Sequence, residues 1–154
     1  IRRQRQMCIR DSRDLVYELR PPALDELGLI GAIRNFIENQ TTSQPKITME
    51  VPDRLPSLPA ALEVAVYRIA IEGLTNILRH ANARTAVLRL SLEEGQLVIE
   101  ILDDGVGLSG GYTPGVGMAS MRERAEELGG TFELLPDQQG SYIRVRLPLM
   151  EAKT

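Results

Sequence analysis

The stretch "QLVIEILDDGVGLSGGYTPGVGMASMRERA" (residues 96–125) passes from an apolar run, through a glycine-rich segment, into a pattern of helical spacing. The run "QLVIEIL" predicts a strand, and "MASMRERAEELGG" predicts a helix that ends at Gly129 and Gly130. Asp103 and Asp104 lie where the strand gives way to the glycines. Because glycine lets a backbone approach a ligand closely, this order indicates a phosphate or nucleotide site, although isolated glycines alone would indicate plain turns.

Two phosphate-binding patterns compete for these glycines. Residues 105–110 match G-x-G-x-x-G after a strand, which is the spacing of dinucleotide-binding βαβ units. They are followed by "GYTP" (111–114) instead of a helix, and no parallel βαβ pattern surrounds them, so that fold is disfavoured. The sequence contains no G-x-x-x-x-G-K-S/T, which excludes a P-loop.

A second arrangement fits the stretch better. It consists of Asp103-x-Gly105-x-Gly107, a mobile lid, and Gly115-x-Gly117 at the start of a helix. A buried carboxylate at Asp103 can accept a hydrogen bond from an adenine amino group, and the free N–H groups at a helix start favour an anion. The three elements together predict a site for an adenine nucleotide.

Upstream, the segment "EGLTNILRHA" (72–81) closes the longest predicted helix, which begins near residue 60 and ends near the only histidine, His80. Glu72 and Asn76 lie one turn apart on its polar side, with Arg79 and, at the margin, His80. An amide oxygen can ligate Mg²⁺, and a carboxylate can polarise a nucleophile. Taken alone, the pair is as well explained by a solvated helix face. The apolar side of this helix is predicted to carry Val66, Tyr67, Ala70, Leu74, Ile77, Leu78 and Ala81.

The other elements complete an α+β pattern. Helices are predicted over residues 13–20 and 25–40, and Pro21 and Pro22 end or kink the first of them because the residue before a proline avoids the α region. Strands are predicted at "KITMEV" (46–51), "TAVLRLSLE" (85–93), "TFELL" (131–135) and "SYIRVRLPL" (141–149), with a hairpin turn at Glu94 and Gly95. This order predicts a two-layer sandwich, a mixed and mostly antiparallel sheet with its helices on one face, preceded by a helical stump.

Length and composition bound the class of protein. The 154 residues are 43% hydrophobic but only 4% aromatic, so a single core must be built from aliphatic side chains. The net charge is -3 and basic residues interleave with acidic ones, which argues against nucleic acid as a partner. No apolar run reaches the ~18 residues of a membrane span, so we expect no direct membrane contact. The single cysteine, Cys8, cannot form an internal disulfide.

The chain begins with a segment, "IRRQRQMCIRDS", that does not share the apolar rhythm of the residues after it. Its part "QMCIRDS" resembles the conceptual translation of a sequencing-library adapter, and a solvated helix end is the alternative. We expect residues 1–12 to be adapter-derived and non-native, or disordered, and residues 13–22 to be the end of an upstream helix. Residues 23–150 are expected to form the main domain, followed by a tail over residues 151–154.

The glycine segment and the acid–amide pair together resemble the GHKL ATPase superfamily. Its Bergerat-type fold is shared by sensor histidine kinases, type II topoisomerases, mismatch-repair ATPases and heat-shock chaperones. Residues 72–76 resemble its N box, residues 103–107 its first glycine box and residues 115–118 its second, and the likeness covers about residues 25–148. Within the superfamily, "LRPPALDELGLIGAI", "NILRHA" and "GVGMASMRERAEELGGTFEL" resemble most closely the kinases of the nitrate-sensor and membrane-fluidity-sensor type.

The resemblance implies roles for individual residues, with ATP and Mg²⁺ as cofactors. Glu72 would be catalytic, Asn76 would bind Mg²⁺ and the nucleotide, and Asp103 would read adenine. The other nucleotide-binding residues that it implies are Arg79, His80, Gly105, Gly107, Gly115, Val116, Gly117 and Met118, with a lid over residues 108–116. The family's phosphoacceptor histidine lies on a helix upstream of the "LRP" segment, so His80 is not that residue.

The implied function is the Mg-ATP-binding catalytic domain of a two-component sensor histidine kinase. It would transfer the γ-phosphoryl group of ATP to a histidine on a separate helix, and from there to the receiver domain of a response regulator. The parent protein would dimerise through a helical hairpin that ends at residues 13–22, and would hold this domain in the cytoplasm while anchored in the bacterial inner membrane. An anti-sigma-factor type serine kinase and a non-catalytic nucleotide-binding or dimerisation module are the alternatives.

Overall fold

The computed structural model describes residues 20–41, 43–105, 116–135 and 140–149, and of His80, Ala81 and Val116 it describes the backbone alone. The segment over residues 1–12, the helix predicted at 13–20 except for Arg20, and the tail at 151–154 lie outside these ranges. The elements in chain order are α1 (Pro22–Glu38), β1 (Lys46–Glu50), α2 (Ala60–Asn76), a π-helical turn (Ile77–Ala81), β2 (Thr85–Glu93), β3 (Gln96–Asp103), α3 (Val116–Glu127), β4 (Thr131–Leu135) and β5 (Ser141–Pro148).

The five strands form one sheet in the order β1-β2-β3-β5-β4. β1 pairs with β2 in parallel, and the other three pairings are antiparallel. The predicted hairpin turn is confirmed between β2 and β3, where Glu94 and Gly95 have φ of 49° and 78°. Positive φ at both turn residues is what a tight hairpin between twisted strands requires. The predicted α+β class with a mixed, mostly antiparallel sheet is therefore confirmed.

One face of the sheet carries the core and is covered by the helices. Alternate strand residues point into it because side chains in a strand alternate between the two faces. The fully buried ones on β2, β3 and β5 include Leu88, Leu97, Ile99, Ile101, Val145 and Leu147, and the helices contribute Ile33, Val66, Ile69, Leu74 and Met121. As the composition predicted, this core is almost entirely aliphatic.

The opposite face of the sheet carries charged side chains in alternating order across all five strands. This charged row consists of Glu50, Arg89, Glu100, Arg144 and Glu133. Arg89 lies 2.8 Å from Glu50 and 3.1 Å from Glu100, measured between guanidinium nitrogens and carboxylate oxygens. Arg144 lies 3.6 Å from Glu100 and 3.8 Å from Glu133. On the face turned away from the helices, the charged side chains of neighbouring strands therefore form ion pairs with one another.

The first helix differs from its predicted bounds of 25–40. It begins at Pro22 and ends at Glu38. Proline is well tolerated at the first position of a helix, because its missing N–H is not needed there. Gly28 interrupts it with φ of 75°, a backbone conformation that favours glycine. The described helix therefore starts three residues earlier than the sequence predicted and ends two residues earlier.

The long helix also departs from expectation. Its α-helical part ends at Asn76, and a π-helical turn continues to Ala81, after which Asn82 takes the left-handed conformation with φ of 52°. On the predicted apolar side, Tyr67 and Leu78 are half-buried, and Tyr67 packs against the core. The helix is buried more broadly than one stripe, through Leu62, Val64, Ala65, Val66, Ile69, Ala70, Gly73 and Leu74. It is covered on more than one side because both α1 and α3 pack against it.

Candidate functional site

Glu72 and Asn76 lie half-buried in the last two turns of α2. Gly73, between them, packs against Ile101 of β3 so closely that a side-chain carbon at this position would overlap the end of the Ile101 side chain. Ile101 precedes Asp103 by two residues, and both are buried on the same face of β3. The sheet therefore supports α2 beside the strand end that carries the aspartates.

Gly117, in the first turn of α3, brings the second glycine segment onto this pair. A side-chain carbon at Gly117 would lie 2.4 Å from Glu72 Oε2 and 3.1 Å from both terminal atoms of the Asn76 amide. Only glycine fits there without a displacement, since real Cβ atoms do not approach so closely. Two segments separated by about forty residues of sequence thus meet at one place.

The Asn76 amide has an unmet hydrogen-bonding requirement. Its Nδ2 is buried and has no hydrogen-bond partner in the described part of the chain. A buried donor without an acceptor costs about 1–3 kcal/mol, so a polar ligand that reached this amide would remove a penalty. The Glu72 carboxylate and the Asn76 amide oxygen are the kind of oxygen ligands that Mg²⁺ prefers. The free backbone N–H groups at the start of α3 are the kind of donors that favour phosphate.

Asp103 ends β3 with its side chain only 5% exposed. Its Oδ1 accepts a hydrogen bond from the backbone N–H of Gly105 at 2.7 Å, and its Oδ2 accepts one from the hydroxyl of Ser141. A carboxylate has about four acceptor positions, so these two bonds fix its orientation and leave others for a ligand. The arrangement suits an acceptor held ready for an amino group.

Two residues beside Asp103, Gly140 and Ser141, were not among the predicted site residues. Ser141 lies directly opposite Asp103 in the antiparallel register of β3 and β5. Gly140 has φ of 100°, and a side-chain carbon there would overlap the Asp103 carbonyl. No sequence signal marked them, because "GSY" opens an ordinary strand and its position opposite residue 103 depends on the strand pairing.

The neighbouring Asp104 does something different. Its Oδ1 accepts hydrogen bonds from the backbone N–H groups of Arg84 and Thr85 at 2.8 and 3.0 Å, and its Oδ2 accepts one from the Thr85 hydroxyl. The backbone hydrogen bond from Thr85 is the main reason why the pKa of the Asp104 carboxyl lies below its ordinary value. This side chain fastens the start of β2 to the end of β3 and does not line the candidate site.

The remaining predicted residues divide into three groups. Arg79 is exposed on the π-helical turn, and the backbone of His80 lies on the same turn. The side chain of Met118 is 7% exposed and belongs to the buried core. Gly107, Gly115 and the lid over 108–116, except for the Val116 backbone at the start of α3, lie outside the described residues.

Two other kinds of feature are absent from the described residues. No three His, Cys, Asp or Glu side chains in this part of the chain cluster as metal ligands. None of its helices has the length and apolar character to cross a membrane.

Residues 61–151 match the family model described as the histidine kinase-, DNA gyrase B-, and HSP90-like ATPase. Over 88% of its length the chain is 35% identical to the signal transduction histidine-protein kinase/phosphatase UhpB of Salmonella typhimurium. Over 93% of its length it is 31% identical to the oxygen sensor histidine kinase NreB of Staphylococcus carnosus. The chain spans 28% of the first relative and 43% of the second.

A solved structure has the same fold. The histidine kinase domain of a blue-light activated histidine kinase from Erythrobacter litoralis superimposes with a TM-score of 0.63 over 77% of this chain and 56% of that one. The two sequences are 22% identical, so the likeness concerns the fold alone.

Proposed function

Because the chain belongs to the histidine kinase-, DNA gyrase B-, and HSP90-like ATPase family, we propose that it is the ATP-binding catalytic domain of a sensor histidine kinase. The observation that carries this proposal is the contact of Gly117 with Glu72 and Asn76. It joins an acid–amide pair to the backbone of a helix start, where phosphates bind favourably. The buried Asp103 supplies the acceptor for the base.

Each end of the nucleotide has its own residues in this proposal. The Asp103 carboxylate accepts a hydrogen bond from the adenine amino group, with Ser141 and the Gly105 N–H holding its orientation. At the phosphate end, the Asn76 amide oxygen holds Mg²⁺ while Nδ2 donates to a phosphate oxygen. The cation, when bound, neutralises phosphate charge. Arg79 and His80 contact the phosphates, and the glycines at 105, 107, 115 and 117 admit the nucleotide with Val116 and Met118.

The reaction is the transfer of the γ-phosphoryl group to a histidine on another segment of the parent protein. The bond between the bridging oxygen and the γ-phosphorus breaks, a bond from the imidazole nitrogen to phosphorus forms, and ADP leaves. Glu72 orients the imidazole and accepts a hydrogen bond from it. The phosphoryl group then passes to the receiver domain of a response regulator, and the parent acts as a dimer with this domain in the cytoplasm.

Calorimetric titration with ATP tests the adenine assignment. Asp103→Asn should weaken binding by about 10- to 150-fold, since a hydrogen bond to a charged group contributes about 1.5–3 kcal/mol. Asp104→Asn is the matched control, because that carboxylate holds β2 and β3 together and should leave ATP affinity within about twofold of the original. Equal affinities for the Asp103 variant and the unchanged protein would refute the assignment.

The magnesium assignment has a separate test. Asn76→Ala should weaken ATP binding at least about tenfold more in magnesium than in a chelator, because only the metal-dependent part of the affinity passes through the amide oxygen. The same titration with Thr75→Ala, one residue earlier on α2, supplies the control. A loss of affinity that is the same with and without magnesium would contradict the role of Asn76.

A further inference from the structure

The helices α2 and α3 pack side by side and run in opposite directions. At one end of their contact, Gly117 at the start of α3 lies against Glu72 and Asn76 near the end of α2. At the other end, Ala61 at the start of α2 and Leu128, which follows α3, line one shallow groove. The candidate site therefore lies at one end of this antiparallel seam.

Two arginines lie within the seam, one on each helix. Val64 lines the groove beside Arg124, and Glu72 lies against Gly117, so both residues face α3. Arg68 is one turn after Val64 and one turn before Glu72, which places it in the same row of α2. On α3, Arg124 follows Gly117 by two turns and lies on the same side of that helix. Arg68 and Arg124 are therefore charged neighbours of Glu72 along the seam, and all three side chains are half-buried.

The backbone directs the side chains of Arg124 and Glu72 towards each other. In an α-helix each Cα–Cβ bond is tilted towards the N-terminus of the helix. Arg124 therefore leans towards Gly117, and Glu72 leans back towards Arg68. Because the two helices are antiparallel, these directions converge within the seam.

The electrostatics of Arg124 agree with this geometry. Burial lowers the pKa of its guanidinium, and the charge of Arg68 lowers it further. Glu127, Glu72 and Glu123 act in the opposite direction and favour the charged form. Of these three acids, Glu127 and Glu123 belong to α3 itself, whereas Glu72 acts on Arg124 from across the seam.

We propose that Arg124 is a positioning residue for Glu72. Its guanidinium attracts the Glu72 carboxylate along the seam and offsets its negative charge at the place where the phosphates of ATP approach. Arg68 adds positive charge at the same place. The inference rests on the proposed function and deepens it, because the orientation of Glu72 matters for the histidine that receives the phosphoryl group.

Calorimetric titration with Mg-ATP tests this role through two variants of similar length. Arg124→Met keeps a long apolar stem in the groove but removes the charge, and it should weaken binding about three- to tenfold because Glu72 then repels the phosphates without compensation. Arg124→Lys keeps the charge and should stay within about twofold of the original affinity. Loss of the same size in both variants would show a packing role and overturn the proposal.

The same substitution in a Glu72→Gln background shows whether Arg124 acts through Glu72. There Arg124→Met should change the affinity less than about twofold, since no carboxylate remains to be offset. An equal loss with and without the Glu72 charge would mean that Arg124 acts on the nucleotide directly, and it would contradict the positioning role. Arg122→Met is the matched control on α3, because that guanidinium lies 4.8 Å from the centre of the Phe132 ring and should leave the affinity unchanged in both backgrounds.

A measurement without nucleotide separates this inference from the proposed function. In the carbon NMR spectrum at pH 7, Arg124→Met should move the Cδ resonance of Glu72, which is assigned by its loss in Glu72→Gln, and Arg122→Met should not. An unmoved resonance would overturn the positioning role even if ATP binds as proposed. A chain that shows the shift but binds no ATP would instead refute the proposed function and leave the interaction of Arg124 with Glu72 established.

Discussion

At the scale of single residues, Asp103 and Asp104 are adjacent in the sequence but have different structural roles. Asp103 points into the domain and is held by Gly105 and Ser141, whereas Asp104 points to the start of β2 and caps two backbone N–H groups. The difference follows from position, because Asp103 is the last residue of β3, whereas Asp104 follows the strand and contacts the start of β2. The sequence pattern showed two carboxylates at the end of a strand, and their different roles became clear only from their hydrogen-bond partners.

Asp104 should make the stability of the fold depend on pH. Since its pKa is lower in the folded chain than in the unfolded one, its contribution is present above the unfolded pKa and is lost as the pH falls through the folded pKa. Asp104→Asn should therefore destabilise the fold by about 0.5–1 kcal/mol at pH 7, a low value because the side chain is exposed. Urea unfolding of both proteins should show this difference closing below about pH 4, near the ordinary pKa of an aspartate. A difference that persists at low pH would contradict the role.

At the scale of elements, the segment that opens β5 shapes the base end of the site. Gly140 has a positive φ and lies against the Asp103 backbone, while Gly95, in the β2–β3 hairpin, has a positive φ with no atom near its missing side chain. The two glycines share a conformational requirement and differ in their surroundings. Substitution of Gly95 therefore measures the cost of the backbone conformation alone, whereas substitution of Gly140 adds the cost of steric overlap.

Alanine at these two glycines should therefore have unequal effects. Gly95→Ala should cost about 1–2 kcal/mol of stability, the strain of a left-handed conformation. Gly140→Ala should cost about 1–3 kcal/mol more, because the added carbon overlaps backbone atoms that must shift. It should also weaken ATP binding, which Gly95→Ala should not. Denaturant unfolding and calorimetry measure both effects, and equal losses would mean that the approach to Asp103 is unimportant.

Helices and strands could be predicted from the sequence where apolar residues recur at a regular spacing. The strands and the helix after the second glycine pair follow from alternation and from apolar spacing, and the pairing of Glu72 with Asn76 follows from one helical turn. The π-helical turn after Asn76 and the kink at Gly28 were not predictable, since both depend on how the helices pack on the sheet. Ser141 was missed for the same reason, because it joins the site only through strand register.

At the scale of the whole molecule, the charged row ties all five strands together on the face that no helix in the described part of the chain covers. Glu100 is its centre, with a side chain only 12% exposed between two arginines. Burial alone would raise the pKa of the Glu100 carboxyl. Hydrogen bonds from Tyr142 and Arg89, with the nearby arginine charges, outweigh burial and lower it. The row is therefore anchored in the middle and looser towards β4.

Removing the charge of Glu100, at the centre of the charged row, should destabilise the fold more than removing the charge of Glu133 at its end. Glu100→Gln should destabilise the fold by about 1.5–3 kcal/mol at pH 7, since it weakens charge-assisted hydrogen bonds in a mostly buried place. Glu133→Gln, whose carboxylate is 46% exposed and 3.8 Å from Arg144, should cost less than about 1 kcal/mol. Because the pKa of Glu100 is lowered on folding, the larger effect should fade as the pH falls below about 4. Equal losses at pH 7 would contradict a graded row.

The π-helical turn between Asn76 and Asn82 also limits which changes of length the chain can accept. Such a turn holds one residue more than an α-helical turn, so it is equivalent to a single inserted residue. Removing one residue there would restore regular α-helical winding and keep the chain after the turn close to its present direction, because the wider turn already absorbs that extra residue. Adding one more residue would instead rotate the following chain by about 100° relative to Glu72 and Asn76. A single deletion in this turn should therefore be tolerated better than a single insertion.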